Sequence, residues 1–473
     1  MFTTNTYKGI IEKYLNSLNL TDLTTDAHWM KVSNWLEWYQ GKVDNFHNYT
    51  YYNGTDTIPQ TRYSAQMAKR CCEDWADLLL NEKVKIMIDD ETLTKVLDKV
   101  LLDNDFYVQG NMLIEKSFAL GEGAFIEYFT GNPIKPIGIN YCNARMIYPL
   151  RYDGGQLVDC AFCWLLTNEV YYVNIHIQEP DGTYTIYNKI FKESEKSKDP
   201  IELELPNKLE RTLKSPIRLF QIIKPNNANN IDIDNQRGIS VFANSLDQLK
   251  DIDLKFDSYN KEFKLGRKRM LFNSDVAKCN VDIKGNITPV FDSNDLAFYA
   301  IAMGENGKPI EYIDGNLRVA EHDQALQTAL NLFSDSVGFG TGHYSLSDGH
   351  IYVNETSVIS SNSKMFRRLK KHEIVLEKAL IDLSKAIIYM ATGTVTDKDI
   401  SINFDDSIIE DKAEQKRQAL LEFNAGLIDK VQYFMETRNM DESTAQTFVD
   451  KIEARIPEPE MEPEPEGNDE SER

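Results

Sequence analysis

The stretch covering residues 238–269 constrains this chain more than any other. It opens on Gly238 and Ser240, a helix-start signal, and holds no proline. Phe242, Leu246, Leu249, Ile252, Phe256, Tyr259 and Phe263 then recur at steps of three and four, which predicts one apolar stripe on one long helix. The other face carries Asp247, Lys250, Asp251, Asp253, Asp257, Lys261 and Glu262 and reads as solvated. From Gly238 to Gly266 such a helix would span roughly 40 Å at about 1.5 Å per residue. A rod of that length with one narrow stripe suits a bundle or an assembly. The plainer reading is a core helix with one wet face. The rod ends at Gly266 in a basic knot, Arg267, Lys268 and Arg269.

The residues beyond this helix favour an assembly. A short strand module is predicted over residues 270–312, with turns at Lys284-Gly285, Ser293-Asn294 and Glu305-Asn306-Gly307. A second helix is predicted over 319–337, with Ala325, Leu326, Ala329, Leu330 and Phe333 on its apolar side. A small β module between two helices is a stalk with a tip. Residues 338–362 are rich in Gly, Ser, Thr and Asn and lack apolar periodicity. A loop of that length tends to be functional or disordered. It is predicted to open into a long helix over 363–390, with Arg367, Arg368, Lys370 and Lys371 in the first two turns. Cations there oppose the helix dipole and call for a neutralising partner.

Residues 1–120 read as helical, with helices over 8–18, 28–39, 61–80, 92–102 and 106–120. Ala65, Ala68, Cys72, Trp75 and Leu79 share one face of the third. Trp35, Trp38 and Trp75 sit at helical spacing and read as core, with a base-stacking platform as the sharper alternative. From Gly121 the texture turns to strands, in runs that alternate and are rich in β-branched and aromatic residues up to about residue 191. A charged spacer over 192–207 leads to an apolar run at 217–224. Near the C-terminus a strand is predicted over 399–404 and helices over 411–427 and 443–455. From Pro457 proline alternates with glutamate, a composition that stays disordered. The fold class is α+β.

The 473 residues carry a net charge of -22, which argues against wrapping nucleic acid on a basic surface. That charge still allows a protein that DNA must slide past without sticking. No basic region followed by an apolar core opens the chain and no run of about 18 apolar residues occurs, so neither a leader nor a membrane span is expected, and a cytosolic protein is. The six cysteines lie at 71, 72, 142, 160, 163 and 279. Cys160 and Cys163 form a CxxC in an apolar run without a second pair, which reads as buried thiols rather than zinc ligands. The seven histidines are scattered, and no GxSxG, HExxH or P-loop occurs. Gly121-x-Gly123 is not followed by a phosphate-binding helix. No cofactor, metal or catalytic constellation is expected. A metal nuclease built from scattered Asp and Glu remains as an enzymatic alternative.

The order of these blocks carries a resemblance. AQMAKRCCEDWADLLLNEKVKI, GEGAFIEYF, the 238–269 stretch, ALQTALNLFSDSVGFG, NETSVISSNSKMFRRLKKHEIVLEKAL and AGLIDKVQYFMETRN succeed one another with compatible gaps. Together they resemble the portal proteins of long-tailed bacteriophages that infect Gram-positive bacteria, over about residues 61–453.

The resemblance implies a portal fold with a helical and β wing, two-helix stem, small β clip, tunnel loop and helical crown, assembled as a twelve-membered ring. It implies a wing over 1–237 and 363–404, a stem over 238–266 and 317–337, and a clip over 267–316. The tunnel loop would be 338–362, the crown 405–456 and the acidic tail 457–473. Double-stranded DNA would pass the channel and touch His343, Tyr344, Ser345, Ser347, His350 and Asn354 in the loop. Phe256 and Phe263 would meet a neighbouring subunit, and Arg267, Lys268 and Arg269 would pair with its Asp and Glu or, as the alternative, touch DNA phosphates at the channel mouth. Implied partners are the terminase large subunit, a head-completion or adaptor protein, and capsid and scaffolding proteins, with no membrane. The location implied is the capsid vertex of the virion, with assembly in the host cytoplasm. Another ring-forming head–tail connector is the structural alternative.

Overall fold

The computed structural model describes residues 5–52, 54, 56–167, 169–194, 197–204, 212–266, 269–273, 280–281, 287–288, 298–301, 310–313, 315–346, 355–404, 419–438 and 442–453. The chain divides into two units, Met1–Phe404 and Asp405–Arg473. In the first unit the helices are α1 (Asn5–Ser17), α2 (Asp26–Tyr39), α3 (Asp44–His47), α4 (Met67–Leu79), α5 (Glu91–Asp103), α6 (Phe106–Leu120), α7 (Leu246–Leu265), α8 (Val319–Val337) and α9 (Glu355–Thr392). Its strands begin with β1 (Asn48–Tyr52), β2 (Thr57–Thr61), β3 (Lys85–Ile88), β4 (Gly123–Phe129), β5 (Ile137–Asn143) and β6 (Ile147–Asp153). They continue with β7 (Gln156–Thr167), β8 (Val170–Gln178), β9 (Tyr184–Glu193), β10 (Pro200–Leu203), β11 (Thr212–Ser215) and β12 (Phe220–Ile223). The last are β13 (Arg269–Asn273), β14 (Asn280–Val281), β15 (Ile287–Thr288), β16 (Phe298–Ile301), β17 (Ile310–Ile313) and β18 (Ile400–Asn403).

The core is built on the alternation of β7, β8 and β9. They pair antiparallel in the six-stranded sheet β10-β9-β8-β7-β6, with β11 also on β9. Successive strand residues point to opposite faces. Ala161 and Cys163 therefore meet α1 through Ile10, Ile11, Tyr14 and Leu15, and the Tyr14 ring stacks on Phe191 at 4.1 Å. Cys160 and Phe162 pack on the other face against Ala124, Ile126 and Phe220 of the small sheet β12-β4-β5. The two cysteines of the CxxC thus look in opposite directions, so they cannot share a metal ion. Burial pushes both thiols up, well away from thiolate chemistry. Trp35, Trp38 and Trp75 are all buried, so they belong to the core and not to a stacking platform.

Helices α6 and α8 lie where the periodicity predicts. Other boundaries differ. The long helix starts at Leu246, not at Gly238. Residues 238–245 are instead held against the end of α6, where Val241 N–H donates to Phe118 O at 2.9 Å. A Cβ on Gly238 would sit 2.0 Å from Gly121 O, so the two backbones touch there and no helical turn fits. The last long helix begins at Glu355, inside the span read as loop. Arg367, Arg368, Lys370 and Lys371 therefore lie well inside α9 and do not oppose its N-terminal dipole, contrary to expectation.

The first 120 residues are not all helical. β1 and β2 form a two-stranded hairpin, and β3 pairs with β18, more than three hundred residues away in sequence. The region read as a strand module between α7 and α8 is one: β13 lies between β16 and β17, and β14 pairs with β15. Its expected turns, Cys279 and the tail from Pro457 lie outside the described residues. In the second unit, residues 419–424 are helical, and two helices come after them, α10 (Lys430–Arg438) and α11 (Glu442–Glu453). α10 falls in a stretch read as a connection. It packs on α11 through Phe434 and Phe448, 5.1 Å apart. Among the described residues no helix is long and apolar enough to cross a membrane, and no three His, Cys, Asp or Glu converge on a metal site.

Candidate functional site: the helix pair and the loop it holds

α7 and α8 run antiparallel. Ser245 at the foot of α7 hydrogen-bonds Ser336 at the end of α8, Oγ to Oγ at 2.7 Å. Higher up, the rings of Tyr259 and His322 stack at 5.4 Å. At the top the Arg318 guanidinium donates to both Glu262 oxygens, at 3.1 and 2.8 Å. That bidentate pair holds the Glu262 carboxyl down at about 2.

The face of α7 read as solvated is partly buried. Asp253 and Asp257 are 3% and 2% exposed. Asp253 accepts from Ala65 N–H at 2.7 Å and from His47 Nε2 at 3.0 Å. Val43 N–H donates to His47 Nδ1 at 2.8 Å, so the ring proton sits on Nε2 and points at Asp253. Asp257 accepts from Lys261 Nζ at 2.5 Å and from Tyr63 N–H at 3.4 Å. The reason is long-range. The segment around the β1–β2 hairpin lies along α7 and presents backbone donors to it. Arg62 locks that segment by stacking on Phe46 and Tyr49, at 4.7 and 4.4 Å.

Around α7, at about 100° per residue, the side facing α8 (Tyr259, Glu262) and the side facing the hairpin (Asp253, Asp257) are nearly opposite. Two flanks are left. Leu254 and Phe263 stand on them, 46% and 47% exposed, nine residues and so about half a turn apart. Leu332 of α8 is exposed as well. Phe256 is half-buried within its own chain.

The loop after α8 begins docked, not free. Gly338 ends the helix at φ +104°. A Cβ there would be strained and would also meet Trp75 and Arg368 at 3.3 Å. Phe339 stacks on Trp75 at 4.5 Å, and His343 stacks on Phe339 at 4.3 Å. Trp75 Nε1 donates to Val337 O at 3.2 Å. Tyr344 is 2% exposed and donates its hydroxyl to Asp74 Oδ2 at 2.8 Å, where His343 Nε2 also lies at 3.2 Å. Gln327 of α8 fixes the chain beyond, donating to Tyr344 O at 2.8 Å and accepting from Leu346 N–H at 2.9 Å.

Of the residues expected to touch DNA, Tyr344 is therefore an anchor whose side chain is taken up inside the chain. His343 is half-committed to Asp74, and Ser345 is exposed. Ser347, His350 and Asn354 lie outside the described residues, as do Arg267, Lys268 and the side chain of Arg269. The anchor residues Asp74 and Trp75 were not foreseen as part of this site. They are 270 and 262 positions from their partners, and no local pattern signals such a contact.

Over residues 25–458 the chain matches the family described as "Phage portal protein, SPP1 Gp6-like". It belongs to that family of structural phage proteins. No curated protein matches it. Among solved structures it is similar to a chain of the "Virion of native gene transfer agent (GTA) particle", at 9% identity and a TM-score of 0.42 over 90% of this chain and 98% of that one. It is also similar to a chain of the "Neck of empty GTA particle computed with C6 symmetry", at 11% identity and a TM-score of 0.40 over 78% of this chain and 89% of that one. At such identities and scores these likenesses stop short of function.

Proposed function

We propose that copies of this chain form a twelve-membered ring, the portal at one capsid vertex of a bacteriophage virion, assembled in the host cytoplasm. Double-stranded DNA is packaged and ejected through its channel. On this reading α7 and α8 are the stem, residues 267–316 the clip, 338–362 the tunnel loop and 405–456 the crown. The terminase motor docks at the clip and is later replaced by a head-completion protein. Packaging force comes from that motor, since the sequence holds no P-loop. The loop's share of DNA contact falls beyond its Tyr344 anchor, with Ser347, His350 and Asn354 as the candidates.

The observation that carries the ring is the pair of open flanks on α7. A closed ring needs a heterologous interface, in which each copy offers two unlike faces. Leu254 on one flank and Phe263 on the other supply such faces while α8 and the hairpin occupy the remaining sides. Leu254→Asp and Phe263→Asp should each give a folded monomer by light scattering, where wild type gives rings with a central hole in negative stain. Rings from both variants, or wild type monomeric at every salt and protein concentration, would defeat the proposal.

A further inference from the structure

Lys364, Arg367, Arg368 and Lys371 stand at positions i, i+3, i+4 and i+7 of α9, which puts all four cations on one face. Like charges at these spacings weaken a helix, so folding alone does not call for them. They line a pocket of about 420 Å³ whose far wall is Asp335, Gly338 and Gly340, at the end of α8 and the root of the anchored loop. Among the described residues Asp335 is the one carboxylate lining it, and it is paired with Lys364 at 3.3 Å. Burial, then the cations Lys371 and Arg368, hold the neighbouring His372 down at about 3. In a chain of net charge -22 such a concentration of cations stands out.

We propose that this pocket is a phosphate-binding site, and that its ligand is the backbone of double-stranded DNA. Two guanidinium forks flanked by two ammonium groups match the oxygens of phosphodiesters. The glycines on the far wall let a bulky anion come close to the backbone. The stripe spans about 10 Å of helix, the axial distance over which one DNA strand presents about three phosphates. A concave cluster also suits successive phosphates better than the flat, mixed-sign face a neighbouring helix would need. The choice of duplex DNA rests on the portal reading, whereas the phosphate chemistry does not.

The test is the double variant Arg368→Gln/Lys371→Gln in the full chain, with Lys364→Gln/Arg367→Gln as a second in case the first does not fold. Lys95→Gln/Lys99→Gln, on the exposed side of α5, is the control for bulk charge. Binding of a fluorescent duplex of about 30 base pairs is followed by anisotropy from 50 to 200 mM salt, and pyrophosphate binding by calorimetry. The expected result is a fall of about 2 in the slope of log affinity against log salt for the pocket variants, and none for the control. Loss of pyrophosphate binding with unchanged DNA binding supports the pocket but assigns it to a free phosphate ligand. Rings that fall apart at low salt in the pocket variants overturn the proposal, because the pocket then holds carboxylates of a second copy. Unchanged slopes and unchanged pyrophosphate binding overturn it too. Imaging wild-type rings in the same preparation separates these outcomes from failure of the portal reading.

Discussion

Replacing Glu122 by glutamine removes one half of the most deeply buried ion pair described in the chain. Arg237 and Glu122 have side chains 1% and 5% exposed. The guanidinium reaches Glu122 Oε1 at 2.8 Å, Thr24 Oγ1 at 2.8 Å and Ala144 O at 2.9 Å, and lies 5.2 Å from the Trp29 ring. Four segments distant in sequence thus meet at one cation, just before the chain turns into α7. Burial works against its charge, but Glu122 and its neighbours more than offset that and keep Arg237 above its ordinary range. Glu122→Gln keeps the size and leaves the guanidinium buried without its counter-charge, at a cost of about 3–5 kcal/mol. Asp22 also acts on Arg237, which favours the lower end. An unfolding entropy of about 2.1 cal/mol/K per residue over Met1–Phe404 is about 0.85 kcal/mol/K, so melting should fall by about 4–6 °C. Differential scanning calorimetry reads this directly. Glu122→Gln/Arg237→Met, which removes both charges, should recover most of the loss. A shift under about 1 °C for the single variant, or a double variant no better than the single, refutes the argument.

Glu127 supplies a pH dependence. Its two oxygens are buried without a hydrogen-bond partner, and burial pushes its carboxyl up to about 8. A folded pKa above the unfolded one makes its contribution complete below about pH 4.5, with a loss of about 1.4 kcal/mol per pH unit as pH rises towards about 8. Glu127→Gln should melt with wild type near pH 4.5 and increasingly above it towards pH 8, whereas parallel melting curves would sink the idea. Tyr344→Phe should cost about 1.5–3 kcal/mol, the worth of a hydroxyl bond to a carboxylate. Faster hydrogen exchange confined to residues 338–346 is the expected sign, and unchanged exchange there would show that Asp74 does not hold the loop.

Elements whose partners are near in sequence were legible. α8 and the antiparallel run β7–β8–β9 declare themselves through apolar periods of 3.6 and 2, and the small strand module between α7 and α8 through its turn residues. What was not legible depends on distant contacts. β3 is four residues long and is a strand because β18 pairs with it. The wet face assigned to α7 failed at Asp253 and Asp257, since aspartate on a helix reads as solvated until a backbone donor from far along the chain is set against it. The start of α7 moved by eight residues because Gly238 is spent on a backbone contact with Gly121. Family membership was readable from the order of the blocks, but the anchor of the loop was not.

The two errors on α7 have one physical meaning. A helix whose polar side is riveted through Asp253 and Asp257 cannot turn to choose which side chains it offers a neighbour. Rotation by even a quarter turn would strand two carboxylates that now accept backbone N–H groups, each worth about 1.5–3 kcal/mol as a bond to a charged group. The exposed flanks bearing Leu254 and Phe263 are therefore set by the hairpin segment and by α8, not by α7 itself. Tyr344 does the same for the loop, fixing its first nine residues to α4 and α8. On this account the buried polar contacts of the first unit are the parts that orient the surfaces a ring would use, and loosening them should disorder assembly before it unfolds the chain.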